Sequence, residues 1–333
     1  MAQEISDYLV VGAGLAGLSF AQDVLSAGHT VRLLDKGRGI GGRAATRRMA
    51  GTRVDHGAQY FTARSDRFQR WVQAALDEGW LQIWTHGFPA WQNGAITPRE
   101  PGHPRYAPLN GMNELGKRLS TGLDVQTSVT VTQIRRNDDA TCTAIGQDGA
   151  EFMGRCLILN LPPVQLLALA KDLLAPEMTA QIEAVRFYPA WALMLLLESD
   201  VPGAADSETG WKAVEFQEHP VLGWVSRDHT KRSGDAAPVL VVHGSGPWSE
   251  AHLEDPPDTV QAALSTAVQE VFGELPIAEA QVHRWRYALP TQVVEAKHLW
   301  DAERRIGTCG DWCGGPRVEG AVESGWSLAE AVS

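Results

Sequence analysis

The segment that most restricts this chain is Gly12-Ala-Gly14-Leu-Ala-Gly17, with Ala16 inside it. Ahead of it, Tyr8, Leu9, Val10 and Val11 make a short continuous apolar run, as a buried parallel strand requires. Behind it, Leu15, Leu18, Ala21 and Leu25 share one helical face, and Gly28 stands where a helix-ending glycine is expected. Val31, Leu33 and Leu34 form a second strand that closes on Asp35, at about the 20-residue spacing that dinucleotide-binding folds use. Each part has a task. Gly12 permits a tight turn, Gly14 lets the backbone approach a pyrophosphate, and Gly17 lets the helix pack close to the sheet. The helix N-terminus offers N–H donors to phosphate. Asp35 can accept both hydroxyls of an adenosine ribose and disfavours a 2′-phosphate. The site therefore suits FAD or NAD rather than NADP.

A second match to the glycine pattern, Gly37-Arg-Gly39-Ile-Gly41-Gly42, has no apolar helical stripe behind it. It reads as a loop, and no second dinucleotide module is expected. The net charge of −11 argues against nucleic-acid and anionic-membrane partners. No apolar run approaches the 18 or so residues of a membrane span. The first residues carry neither a basic nor an apolar targeting segment, so a soluble, cytoplasmic protein without an obligate protein partner is expected. Cys142, Cys156, Cys309 and Cys313 fit neither a zinc nor a C-x-x-C pattern. The ten histidines form no metal-ligand spacing, so no metal is expected, and no G-x-S-x-G elbow points to a hydrolase.

The remaining pattern predicts an α/β fold: a Rossmann-type domain with a second, largely antiparallel-sheet domain. Residues 37–63 and 87–108 read as irregular, 67–81 as helix, and 125–134 and 152–161 as strands. Strands dominate from about 186 to 287, interrupted by a helix near 257–272. The expected division is a discontinuous nucleotide domain of residues 1–65, 105–165 and 290–333, and a substrate domain of 66–104 and 166–289.

Three separated segments refine this. They are 35–43, ending Gly41-Gly42-Arg43; 55–61, containing Gly57-Ala58-Gln59-Tyr60; and 309–325, containing Gly310-Asp311, Gly320-Ala321 and Gly325. Together they resemble the FAD-dependent amine oxidase superfamily, and within it the renalase-like bacterial flavoproteins. Segments around Trp191, His243 and Trp285 extend the resemblance into the middle domain. It implies non-covalent FAD in a fold of the glutathione reductase and p-hydroxybenzoate hydroxylase type. It also implies cofactor contacts at Gly12, Gly14, Ala16, Gly17, Asp35, Lys36, Gly42, Arg43, Gly57, Ala58, Gln59, Tyr60, Val131, Gly310, Asp311, Gly320 and Ala321. Arg43 would neutralise phosphate charge, and Gly320 and Ala321 would begin a helix at the flavin pyrimidine edge. Glycine costs about 1 kcal/mol against alanine inside a helix. Gly320 and Gly325 therefore imply close approach, either by a flavin or by another part of the chain.

The resemblance implies an oxidase. The reaction takes a hydride from an isomeric (2- or 6-) dihydro-NAD(P) to flavin N5 and passes electrons to O2, giving NAD(P)+ and H2O2. A flavin amine oxidase or desaturase, and a non-catalytic flavin-binding redox sensor, are the alternatives. Catalytic candidates are Tyr60, His243 and Trp285. His243, ending an apolar strand, is read either as a pocket residue or as a hydrogen-bonded core histidine. Trp285 and Tyr287 alternate on one side of a strand, as a pocket wall or as core. Arg284 and Arg286 then point to the other side, toward substrate phosphates or solvent.

Overall fold

The computed structural model describes residues 5–204, 210–234 and 236–332. The chain divides into two compact units: Met1–Ala44, Asn113–Arg186 and Pro290–Ser333 form the first, and Ala45–Met112 with Phe187–Leu289 the second.

In the first unit five parallel strands run in the order Asp124–Gln126, Val31–Leu34, Ile5–Val11, Glu151–Leu159 and Ile306–Thr308. Glu151–Leu159 divides its outer edge. Its first half pairs antiparallel with Cys142–Gly146, which carries Val131–Arg136, and its second half pairs with Ile306–Thr308. Leu9, Val10, Leu33, Leu157, Ile158 and Leu159 are fully buried, which is what a sheet covered on both faces demands. The helices Leu15–Ser26 and Val318–Val332 pack directly on each other. A Cβ on Gly325 would lie 2.1 Å from the Ala16 carbonyl oxygen and 2.1 Å from Ser19 Oγ. A Cβ on Gly320 would lie 2.2 Å from the Gly315 carbonyl oxygen. The close approach that these glycines permit is thus met by the chain's own backbone.

The second unit is built on a seven-stranded, mostly antiparallel sheet. Its order is Ile277–Gln292, Arg186–Leu197, Val239–Gly244, Leu222–Arg227, Ala213–Phe216, Ala90–Gln92 and Ala95–Thr97. Val260, Leu264 and Val268 of helix Pro257–Phe272 cover one face, packing with Leu193, Leu195 and Val242. The two-residue period of the strands then turns Val239, Val241 and His243 to the opposite face.

Three sequence expectations change. The strand expected over 125–134 is two strands, Asp124–Gln126 and Val131–Arg136, because Ser128 takes φ +60° and turns the chain between them. Residues expected to be irregular contain the hairpin Thr46–Met49/Thr52–Asp55, closed by Ala50 and Gly51 with φ +45° and +81°. Residues 87–108 contain a second hairpin, Ala90–Gln92/Ala95–Thr97, closed by Asn93 and Gly94 with φ +51° and +80°. Two successive positive φ values are the signature of a type I′ turn, which matches strand twist. The unit boundaries move accordingly. Residues 45–65 and 105–112 join the second unit, since Arg105–Pro108 pairs with Leu81–Thr85 and the Asp55 amide donates to Asp228. Residues 166–186 join the first, where helix Pro163–Ala170 packs on Pro176–Glu183 and Val131–Arg136.

Gly325→Ala should therefore cost about 1–3 kcal/mol, the usual range for overpacking. Urea unfolding followed by fluorescence checks it. A loss under ~0.5 kcal/mol would show that the two helices separate without difficulty.

Candidate functional site

The first unit contains a glycine cradle, and the residue that imposes it is Asn160. Gly12 takes φ +103°, and a Cβ there would fall 2.1 Å from the Asn160 carbonyl oxygen. A Cβ on Gly14 would fall 2.7 Å from Asn160 Oδ1, and one on Gly17 2.5 Å from the Gly12 carbonyl. Asn160 follows strand Glu151–Leu159 and is fixed by its amide to the Val11 carbonyl (2.9 Å) and by Nδ2 to the Cys309 carbonyl (2.9 Å). Its Oδ1 is buried and has no partner. The helix that opens at Leu15 has no side-chain cap and no acid in its first turn, which leaves its N-terminal amides to an anion. A pyrophosphate fits this turn: the helix start has no side-chain cap or acid to compete with it, and the helix dipole favours its charge.

Asp35 is held as well as placed. Its Oδ2 accepts from the Ala13 amide at 2.7 Å and its Oδ1 from the Gly37 amide at 2.6 Å. The carboxylate thus ties the first glycine turn to the loop after the second strand, while each oxygen keeps a lone pair for a ribose hydroxyl. That loop folds back on the cradle: the Gly41 amide donates to the Ala13 carbonyl at 2.8 Å, and a Cβ on Gly42 would lie 3.3 Å from the Gly14 Cα. The second glycine pattern is a loop, as expected. Val131 begins its strand just beyond Val129, whose amide donates to the Asp35 carbonyl. Lys36 is exposed and reaches Gln165 Oε1 at 3.2 Å.

The sequence reading paired Arg43 with phosphate. Its guanidinium instead makes a bidentate ion pair with Asp311, at 2.8 and 2.5 Å. Much of its charge is therefore balanced within the protein. The Gly310 amide donates to Ser324 Oγ at 2.9 Å, and Ala321 lies in the first turn of helix Val318–Val332. Cys309 and Cys313 are free and buried, and burial pushes both thiols far above their usual range, so neither is a nucleophile.

In the second unit, Tyr60, His243 and Trp285 meet one sheet face. Trp224 stands beside His243 across adjacent strands, and its ring lies 5.6 Å from that of Tyr60. His243 hydrogen-bonds the His56 backbone, and the Trp285 indole donates to the His56 carbonyl at 2.8 Å. His243 Nε2 and Trp224 Nε1 are buried without partners, one an available acceptor and the other an available donor. Burial, then the positive charge of Lys231, pulls the His243 pKa down to about 4. Burial, His283 and Arg47 pull His56 down to about 3. Burial raises the Tyr60 hydroxyl. The histidines of this aromatic face are therefore neutral at neutral pH, and the Arg47 guanidinium borders it, 3.3 Å from His283 Nδ1. Arg284 and Arg286 do point the other way from Trp285, but both pair with Glu254. Tyr287 packs edge-on to Phe187.

The segment carrying Gly57, Ala58, Gln59 and Tyr60 hangs on a buried ion cluster that sequence reasoning missed. Lys231 Nζ lies 2.6 Å from Asp228 Oδ1, 3.2 Å from Asp55 Oδ2 and 3.0 Å from the Gln59 carbonyl. Arg232 Nη2 bridges Asp55 and Asp228 at 2.8 Å each. Burial alone would raise the Asp55 carboxyl, and Lys231 and Arg232 overcome it, holding it well below its ordinary value. Gln59 gives its amide nitrogen to the Asp55 and Gly57 carbonyls and takes the Ser226 hydroxyl at 2.8 Å. Its side chain is thus fully engaged by protein. Among the described residues no group of acids, histidines and cysteines could hold a metal, and no helix is long and apolar enough to cross a membrane.

Lys231→Met should destabilise by about 3–5 kcal/mol, since it leaves two buried carboxylates against one cation. A loss below ~1 kcal/mol in urea unfolding would mean that water enters the cluster. The histidines give stability a pH slope. The unfolded chain takes up protons below about 6.5, while folded His243 and His56 resist until about 4 and 3. The fold therefore loses stability as pH falls from 6.5 toward 4, and Asp55 adds to the loss only below 3.8. Urea midpoints across this window should fall, and less steeply in His243→Gln. An equal slope would show that His243 is protonated in the fold.

The comparisons agree with this architecture. A profile for an NAD(P)-binding Rossmann-like domain matches residues 10–77, and one described as flavin containing amine oxidoreductase matches 92–333. The solved structure of an Exiguobacterium protein, provisionally named a protoporphyrinogen oxidase, superposes with TM-score 0.77 at 14% identity over 99% of both chains. Putrescine oxidase bound to putrescine gives 0.73 at 14% identity, again over 99% of both. At such identity the fold alone is shared. AofH of Mycobacterium tuberculosis, provisionally named a flavin-containing monoamine oxidase, is 38% identical over 60 residues, 18% of this chain and only 13% of AofH. With the amine oxidoreductase profile spanning most of its length, the chain belongs to the flavin containing amine oxidoreductase family.

Proposed function

We propose that the protein is a renalase-like FAD-dependent oxidase of isomeric (2- or 6-) dihydro-NAD(P). The observation that carries this reading is the aromatic face with its neutral histidines and its open pair, the His243 Nε2 acceptor and the Trp224 Nε1 donor. Asp55, whose charge reaches His56, is paired with Lys231 and Arg232 alongside Asp228, and Glu215, whose charge reaches Tyr60, is paired with Arg99. A neutral planar ring with one amide substituent is complementary to that face, whereas an alkylammonium would meet acids that are already paired.

Bound FAD supplies the two-electron chemistry, taking the hydride and passing electrons to O2 to give NAD(P)+ and H2O2. Gly12, Gly14, Ala16 and Gly17 would hold its pyrophosphate, Asp35 its ribose, and Val131 its adenine side. In the same unit Gly42, Gly310 and Ala321 would meet the cofactor through their backbone. Tyr60 and Trp285 orient the substrate ring and exclude water. His243 Nε2, held neutral, accepts a hydrogen bond and takes no proton, since a dihydropyridine becomes aromatic by hydride loss alone. An amine must shed a proton as well, so the amine reading, favoured by the names of the relatives, asks His243 to act as a base.

Anaerobic stopped-flow absorbance tests this with 6-dihydro-NAD, ordinary NADH and a panel of amines. Rapid flavin bleaching by the isomer alone is expected, with a rate flat above neutral pH and peroxide on admitting air. Bleaching only by amines, rising with pH, would move the protein to the amine oxidases. Bleaching by nothing would make it a flavin-binding sensor.

A further inference from the structure

We propose that Arg105 is the anion anchor of the substrate site, taking a phosphate of the reduced nicotinamide nucleotide. This rests on the reading above and names the residue that selects nucleotides over simpler reduced rings.

Arg105 begins strand Arg105–Pro108, where its Cα pairs with Thr85, and the neighbouring loop is closed by the Gly102 amide on the His86 carbonyl at 2.6 Å. Its guanidinium carbon lies 5.6 Å from the Tyr60 ring centroid and 6.0 Å from that of Phe88, two rings that themselves pack at 5.0 Å. The cation therefore borders the aromatic face at the catalytic candidate Tyr60. Its donors are underused. Nη1 donates to the His103 carbonyl at 2.7 Å, a further contact reaches the Tyr60 side chain, and Nε is buried without any partner.

Its charge is also uncompensated. The chain carries 40 acidic and 29 basic residues, so most cations can find an acid. Among the described residues Arg105 has no ion pair. The acid whose charge reaches Tyr60, Glu215, is paired with Arg99 at 2.6 Å. The sequence candidates for phosphate, Arg284 and Arg286, share Glu254, and Arg43 holds Asp311. An arginine resting on aromatic rings keeps the edge of its fork for a planar or tetrahedral oxyanion, and such charge-assisted pairs are the strong ones. An unpaired, half-buried arginine is costly, and an anionic substrate group would offset that cost on binding.

The test measures dissociation constants by anaerobic stopped-flow for three 6-dihydro probes: the riboside, the mononucleotide and NAD itself. In the wild type the phosphate-bearing probes should bind about 10- to 100-fold tighter than the riboside, as one charge-assisted pair implies. Equal gains for mononucleotide and dinucleotide identify the nicotinamide-side phosphate as the anchored group, and a gain for the dinucleotide alone the adenosine-side one. In Arg105→Gln the ratio should collapse toward one, and Arg105→Lys should recover part of it. Equilibrium titration with the product NAD+, read by flavin absorbance, should show the same loss of affinity without turnover. Flavin content and thermal midpoint show whether each variant folds, with Arg105→Lys as the variant that preserves the stem. A wild-type ratio near one, or a ratio that survives in Arg105→Gln, overturns the anchor while riboside bleaching still supports the oxidase. Absence of bleaching by any probe overturns the oxidase reading itself.

Discussion

Four charges withdrawn from water hold the open face of the second unit together. Asp55, Asp228, Lys231 and Arg232 sum to zero, and the cluster also takes Thr46 Oγ1 and the Met112 amide on Asp55 Oδ1. Buried ions are costly to desolvate, and a cluster of this kind is weak evidence for stability in itself. Its consequence here is geometric. Asp55 ends one hairpin, Asp228 to Arg232 follow a sheet strand, and Gln59 hangs between them, so the segment 55–60 has one position on the sheet. Tyr60 inherits that position, and so does the His56 carbonyl that fixes His243 and Trp285. An apolar contact would tolerate sliding by a residue; directional ion pairs do not.

The first unit solves a different problem by subtraction. Its anion site is made by removing side chains, and Asn160 shows why. The residue crowds Gly12, Gly14 and Gly17, so the turn can pass it only without Cβ atoms. Asp35 then closes the turn through the Ala13 and Gly37 amides. The fingerprint is therefore a packing requirement as much as a binding one.

That double meaning explains what was legible. The strand–turn–helix–strand opening was readable because glycine spacing, apolar runs and Asp35 all depend on local geometry. The alternation that sends Trp285 one way and Arg284 and Arg286 the other was readable for the same reason. Asn93-Gly94 carried a hairpin signal that the prolines around it masked, whereas Ala50-Gly51 carries a weaker one, since alanine rarely takes a positive φ. Gly320 and Gly325 announced close approach without saying by what, and the answer was backbone. Asn160, Lys231 and Arg105 were not legible at all. Each acts through partners far away in the chain, Cys309 for Asn160, Asp55 for Lys231, Tyr60 for Arg105, and a single side chain has no period to read.

The electrostatics of the second unit join these features. A paired cation, Lys231, lies near enough to His243 to help keep it neutral, while its own charge is answered by carboxylates. The aromatic face thus lies in a positive field, to which Arg47 adds from its contact with His283. Arg105, at the edge, is the one arginine bordering Tyr60 whose charge no acid answers among the described residues. A substrate with a neutral reducible ring and a remote anion matches that distribution at both ends. A small alkylammonium matches it at neither, because it would carry its charge into that positive field and leave Arg105 unmet. The same reasoning ranks the substrates within the favoured class: the ring sets where hydride leaves, and the phosphate sets how long the ring stays.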